Sequence, residues 1–335
     1  MFLGAVLFTA GCGPAWRPKQ ARFEVTGCEA MAGVPAPETW RWSAEAEPVL
    51  TPGPAGAWDS VDALNPSVVW VSGVLYNFYS GFDGRAWRTG LATSTDGRRW
   101  EKAAAPVLSP APETWEGDYI AANGSALHNG IQFVYWYQAG RPARIGLARS
   151  PDGRQWRKHP TPVLEPGPRG TWDEEAVADP YVIRCGRIYY MYFLGQNRRG
   201  LQRLGLARST DLIQWQKHQS NPLLDTGGPG TFDERGLGEP AVFRAAGEFY
   251  MIYTGRDHAE NRRLGAARSG DGVRWRRAPL AAPISGDRLW NARVVCDPTV
   301  LVWGGRLLMW FGGGDVASPD ENLHGRIGLA TLALQ

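Results

Sequence analysis

The chain is predicted to be all-β: a five-bladed β-propeller of four-stranded blades. Three observations predict it. First, a Trp-Asp-like pair recurs at Trp58-Asp59, Trp115-Glu116, Trp172-Asp173, Phe232-Asp233 and Trp290-Asn291, with aromatic spacings of 57, 57, 60 and 58 residues. A fixed period of that size marks a repeat architecture. Second, each repeat reads as short β-branched and aromatic runs bounded by Gly, Asp and Pro, with no sustained 3.6-residue apolar period, so strands are expected and long helices are not. Third, Arg-x-Gly-[Leu/Ala]-Ala occurs five times, at Arg88, Arg144, Arg203, Arg263 and Arg326. The Trp and Pro-Val-Leu-like segment expected after it follows only four of these; the remaining copy, Trp42 and Pro48-Val49-Leu50, precedes the first repeat. The N-terminal segment is therefore expected to supply the outermost strand of the last blade, pairing with Ile327–Leu332. Such closure protects sheet edges.

In chain order, residues 1–11 are apolar and end in Thr9-Ala10-Gly11-Cys12. They resemble a bacterial lipoprotein lipobox, which implies lipidation at Cys12 and a place in the bacterial cell envelope; the other expectation is plain secretion. Residues 12–37 read as a tether and N-terminal extension, and residues 38–335 as one propeller domain. With 43% hydrophobic residues, 16 Trp and 42 Gly, the chain can bury a large core among short strands and tight turns. The net charge of +3 is spread without any Lys/Arg stripe, which argues against nucleic acid as a partner. Only residues 1–11 could touch a membrane, and they are too few to span one. Beyond Cys12, Cys28, Cys185 and Cys296 form no metal motif, and their pairing stays open. No metal or other cofactor is expected.

Within each repeat, what recurs is expected to be scaffold. Asp96, Asp152, Asp211 and Asp271 sit in the same Ser-x-Asp context, which suits a tight hairpin. The five Arg of Arg-x-Gly are expected to pair with a neighbouring loop, with Asp59, Glu116, Asp173 and Asp233 as partners. The residue that opens the first strand of each blade behaves differently: Asn65, Asn123, Asp179, Glu239 and Asp297 share one position but vary in identity. They are expected to ring one mouth of the channel, with the four hairpin Asp residues at the other end. Carboxylates held close raise one another's pKa, so one can stay protonated as an acid while another is ionised. The alternative role is to cap strand ends, which Asn or Asp would serve and Glu would not. The loops between second and third strands offer Trp87, Arg141, Asn197-Arg198-Arg199, Arg256, Asp257, His258 and Asp315 as contacts to sugar faces and hydroxyls.

The Asp-Pro strand openings, the aromatic strands Ile188–Phe193 and Phe249–Tyr253, and the Arg-Ile-Gly-Leu-Ala and Ser-Pro-Asp-Gly-Arg-x-Trp segments resemble the five-bladed propeller glycosidases. These are the arabinanases and β-xylosidases of glycoside hydrolase family 43, the invertase and levansucrase relatives of families 32 and 68, and the mannoside phosphorylases of family 130. The likeness extends over residues 38–335. It implies a glycan (oligo- or polysaccharide) as substrate and carboxylate general acid catalysis. In those hydrolases a base or nucleophile opens blade one, a modulating Asp blade three and an acid Glu blade four, which by position are Asn65, Asp179 and Glu239. Asn65 can neither accept a proton from water nor act as a nucleophile. Asp297 or Asp62 would then supply the missing carboxylate; otherwise the protein binds sugar without cleaving it. The phosphorylases need one carboxylic acid and basic residues for phosphate, which accommodates Asn65.

Overall fold

A computed structural model describes residues 20–35, 40–278 and 286–334. The segment 1–11 and the lipobox-like Cys12 lie outside the described residues. Among the described residues, the fold is all-β apart from one 3-10 turn at Leu289–Asn291. Each repeat folds as an antiparallel meander. Unit three, for example, comprises Ala176–Cys185, Ile188–Gln196, Gln202–Ser209 and the short outer strand Gln216–Lys217. Hydrogen-bonded pairing collects units one and two into a nine-stranded sheet and units three to five into a twelve-stranded one. Between units the contact is parallel and brief, such as Gln202 opposite Gly236 and Arg262 opposite Val294. Ser43–Ala44 pairs antiparallel with Ala330–Thr331, and Leu50 bridges Ile327, so the displaced N-terminal copy lies on the outer edge of unit five.

There is no single central core. Apolar side chains gather in clusters between successive units, and one of these, built from Leu75, Tyr79, Leu308 and Trp310, joins unit five to unit one. The large rings at these seams also make directional bonds. The Trp310 indole donates to the Gly97 carbonyl at 2.9 Å, Trp136 to Leu212 at 3.3 Å, and the Tyr192 hydroxyl to Gly272 at 2.9 Å. In each case the acceptor lies in the next unit's Ser-x-Asp hairpin. Fully burying such a side chain contributes roughly 1.5–3 kcal/mol, and the bond satisfies its polar end.

The repeated motifs are explained by this packing. In the hairpins, Ser94 Oγ accepts from Gly97 N at 2.9 Å while Asp96 Oδ1 accepts from Arg98 and Arg99 N at 2.8 Å. The same bonds recur at Asp152, Asp211 and Asp271, and these backbone donors hold the Asp152 carboxyl below the ordinary carboxylate range. In unit one the Gly of Arg-x-Gly is required because the marker aromatic lies against it: a Cβ at Gly90 would stand 2.4 Å from the Trp58 ring. The Trp-Asp carboxylates are buried, but their partners differ from those expected of the sequence. Asp59, Glu116 and Asp173 pair with Lys102, Lys158 and Lys217, and Asp233 with Arg277 at 2.8 Å. These cations lie on the outermost strands and point inward beneath the sheet. The Arg-x-Gly arginines instead reach outward: Arg88 to Asp83 at 2.7 Å, Arg144 to Glu165 at 3.7 Å.

Residues 20–35, read from sequence as a tether, lie against units three to five. Ala21 bridges His218, the Tyr190 hydroxyl donates to the Glu24 carbonyl at 3.0 Å, and Met31 N donates to Arg244 O at 2.7 Å. A disulfide joins Cys28 to Cys185, 157 residues away. The register places Leu75 opposite Ser94 and Phe82 opposite Trp87, so the Ser-x-Asp hairpins and the second-to-third-strand loops occupy opposite ends of the sheets.

Candidate functional site

The sequence places the variable polar residue at the start of a strand. The structure places it in the interior. In unit three the strand runs through Ala176–Cys185, and pairing with Ile188–Gln196 breaks between Ala178 and Tyr181. Asp179-Pro180 is thus a β-bulge, where a proline without an N–H and an unpaired residue are tolerated. All five positions adopt the left-handed conformation, with φ of 48° at Asn65, 49° at Asn123, 45° at Asp179, 46° at Glu239 and 52° at Asp297. That conformation suits Asn and Asp, whose short side chains tolerate it, and strains Glu. Strain of this kind is concentrated at functional sites. In unit two Gly124 replaces the proline because a Cβ there would stand 2.3 Å from the Trp136 carbonyl and 2.4 Å from the Tyr135 ring.

The five bulges line a narrow passage of about 40 Å³ that opens into a cavity of about 420 Å³. Asn65, Asn123, Asp179, Glu239 and Asp297 all face both. Adjacent units hold one another there: Asn123 N donates to Ser80 Oγ at 2.9 Å, Asp297 N to Thr254 Oγ1 at 3.1 Å, and Asn65 N to Asp297 Oδ2 at 3.1 Å. Glu239 Oε2 is buried and has no hydrogen-bond partner among the described residues.

The electrostatics follow from burial. Loss of water, then the charges of Glu239 and Asp297, push the Asp179 carboxyl well above the ordinary carboxylate range. Burial and then Glu239 push Asp297 up to about 7, against which the Cys296 thiol and the Asn65 N–H donate to its carboxyl. Burial opposes the charge of Arg262, yet Cys296, Glu239 and Asp297 around it hold that guanidinium above its usual value. The site therefore holds a buried cation among three acids, two of which retain protons to unusually high pH.

Of the other sequence candidates, Trp87, Arg141 and Arg256 line the cavity. Trp87 stacks on Phe82 at 4.9 Å, and Arg141 lies 3.8 Å over the Tyr119 ring. Arg256 is paired with Glu260 at 2.5 Å. Asp62, Asp257 and His258 are not among the lining residues. Asp62 is fully buried and accepts backbone N–H bonds from Asn322, Leu323 and Gly325 at 2.7, 3.0 and 2.7 Å. Asp257 Oδ1 closes its own loop through Ala259 and Asn261 N, both at 2.9 Å, and His258 is exposed. Asn197 does the same for Arg199 and Leu201, and Asp315 pairs with His324 at 2.7 Å. Sequence reasoning missed Arg262, Tyr119, Gln138, Gln202 and Asp320, which also line the cavity. A signal existed for two of them. The residue before the Arg of Arg-x-Gly varies by unit as the bulge residue does, and Trp87, Ala143, Gln202 and Arg262, four of its five occupants, face the cavity.

Residues 120–226 match the family model of glycoside hydrolase family 130, described as beta-1,4-mannooligosaccharide phosphorylase. That segment contains Asn123, Gln138, Asp179 and Gln202. The chain is 25% identical over 225 residues to the uncharacterized protein Rv1502 of Mycobacterium tuberculosis, covering 63% of this chain and 72% of that one. A solved glycoside hydrolase-like structure from Parabacteroides distasonis superimposes with a TM-score of 0.70 at 18% identity, covering 88% of this chain and 97% of that one. A family 130 structure, from work on hydrolases that target beta-1,2 mannosidic linkages in Candida mannan, gives a TM-score of 0.68 at 17% identity over 87% and 93%. The family 117 glycoside hydrolase Zg3597 of Zobellia galactanivorans gives 0.65 at 17% over 88% and 91%. The fold is that of the propeller-type glycoside hydrolases.

Proposed function

We propose that the five units close as a five-bladed propeller and that the protein is a glycoside-active enzyme acting on a glycan at the mouth of its channel. Closure is supported by the Asn65–Asp297 bond, the Ala63 N to Gly325 O bond at 3.0 Å and the Ser43–Thr331 pairing, which tie unit five to unit one and to the N-terminal strand. One observation carries the functional reading: three acids from adjacent units face one cavity, where loss of water and then the charges of Glu239 and Asp297 raise the Asp179 carboxyl well above its ordinary range. A carboxylic acid neutral at pH 7 can protonate a glycosidic oxygen as it leaves. In this reading Asp179 carries that proton, the unpartnered Glu239 Oε2 meets the sugar, and Asp297 completes the set. Arg262, Arg256 and Arg141 supply positive charge for a phosphate or an anionic sugar, so phosphorolysis accommodates Asn65 in the base position.

A non-catalytic carbohydrate-binding protein is the second reading, favoured by Asn65. The test is turnover of mannosides, other aryl-glycosides and oligosaccharides, with and without inorganic phosphate. Phosphate-dependent release of a sugar phosphate establishes phosphorolysis. Release of free sugar without phosphate establishes hydrolysis. Binding without either, together with a large gain of activity in Asn65→Asp, establishes the binder. A cell-envelope or secreted location, with Cys12 as lipid anchor, is likewise proposed. The Cys28–Cys185 disulfide supports it, since such bonds persist in oxidising compartments; labelling of Cys12 by a palmitate analogue in the producing bacterium checks the anchor.

A further inference from the structure

The loops between second and third strands are short in four units: residues 83–86, 140–143, 197–201 and 257–261. In unit five the corresponding loop is residues 315–325, about twice as long. It does not hang free. Its first half is held by unit four, where Arg256 Nη1 donates to Pro319 O at 3.2 Å and Arg262 Nη2 to Ser318 O at 3.2 Å. Its middle reaches past unit one to unit two, where the Tyr119 hydroxyl donates to the Glu321 carboxylate. Its last part is held by unit one through the three N–H bonds to Asp62. Asn322 and His324 turn the chain around that carboxylate with φ of 60° and 56°. From this path Asp320 and Leu323 face into the cavity, while Asp62 stays beneath the loop, 0% exposed.

We infer that loop 315–325 is the specificity wall of the cavity and that Asp62 is the positioning residue that latches it. The inference rests on the glycoside reading for its substrate. A wall anchored on units four, one and two encloses one side of the channel mouth. At about 420 Å³ the space lies within the range of ligand pockets, and the wall limits how much of a glycan it seats. Three N–H donors converge on one buried carboxylate because it supplies enough lone pairs to satisfy them all. Removing it leaves those donors unsatisfied and frees the loop from unit one.

The test uses the full chain and two readouts. Hydrogen exchange of the loop needs no substrate: Asp62→Ala should raise exchange at Asn322, Leu323 and Gly325 at least tenfold, and Asp62→Asn, which keeps one acceptor oxygen, should fall between. On a mannooligosaccharide length series, Asp62→Ala should shift the kcat/KM ratio of hexasaccharide to disaccharide at least tenfold toward the longer chain. Most of that shift should come from KM on the disaccharide. Tyr119→Phe, which removes the Glu321 anchor, should move both readouts the same way and serves if Asp62→Ala does not fold. Unchanged exchange in both variants overturns the latch, and increased exchange with an unchanged length ratio overturns the wall. If the wild type turns over and binds no glycan, the functional reading and the wall fall together, while exchange still decides the latch.

Discussion

The set of five bulges has two sides. On units one and two it presents Asn65 and Asn123; on units three, four and five it presents Asp179, Glu239 and Asp297. The backbone is the same on both, with φ within a few degrees of 48° throughout. On the neutral side Asn123 is satisfied by its neighbours: it exchanges bonds with Ser80 and reaches Gln138 at 3.4 Å. On the acidic side Glu239 Oε2 has no partner among the described residues, and the Asp179 and Asp297 carboxyls are raised, Asp297 in spite of the bonds it accepts from Asn65 N and the Cys296 thiol. One socket repeated five times can thus hold two chemistries. Its geometry belongs to the scaffold, and what is placed in it belongs to the site.

The largest effect that would break this contrast is catalytic. On a substrate found by the screen, Asp179→Asn should lower turnover by the roughly 10²–10⁴-fold typical of a lost acid–base group, and Glu239→Gln should do comparable harm. Asn123→Ala on the neutral side should cost no more than about tenfold, since it removes hydrogen bonds worth about 1 kcal/mol each. Equal losses on both sides, read from initial rates, would erase the distinction.

A second contrast lies beneath the sheets. Asp59, Glu116 and Asp233 each accept a tyrosine hydroxyl as well as a cation, at 2.8, 2.5 and 3.1 Å. In unit three Phe193 stands where the tyrosine would, and among the described residues the Asp173 carboxylate bonds only Thr171 and Lys217. Lys217→Ala should therefore destabilise by the roughly 3–5 kcal/mol of an orphaned buried charge, and Lys102→Ala by less, as urea denaturation would show.

The acidic side also predicts a pH dependence. Folded Asp297 keeps its proton up to about pH 7, whereas the unfolded chain releases it near the ordinary value of 3.8. Between those limits the native state binds more protons, so this group withdraws stability as pH rises toward neutrality. Asp297→Asn should flatten that fall, seen in melting temperatures between pH 5 and 8; an unchanged slope would show the charge to be compensated. The smallest effect is expected at the far end of the sheets. Asp96→Asn disturbs one hairpin, for about 1 kcal/mol, and leaves turnover intact.

Much of this was legible in the sequence, and for one reason. A repeat separates shared from varying positions without any structure, and that was enough to distinguish Asp96 from Asp179. The register of the bulge was not legible. Asx-Pro reads as a strand start, and only the left-handed φ shows that Asp179 and Glu239 lie mid-strand with their side chains turned inward. The cation partners were missed because Lys102 and Lys217 stand on two-residue outer strands, where a lysine looks like a solvated charge. Arg262 was masked by its neighbour Arg263, which holds the recurring Arg position of the motif. The Cys28–Cys185 pair joins segments 157 residues apart, and nothing local announces it.

The N-terminal segment that carries this bond has a mechanical consequence. Among the described residues, tension applied from the amino end meets the fold first at the Ala21–His218 bridge and then at the covalent Cys28–Cys185 link, both on unit three. Only beyond that link does the chain reach the Ser43–Thr331 pairing, whose two-residue strand would otherwise peel away like a zipper. The load is thus diverted from that two-residue pairing to the first strand of unit three, at the opposite end of the larger sheet, and whatever holds the amino end can pull on the molecule without stripping the outer strand from unit five.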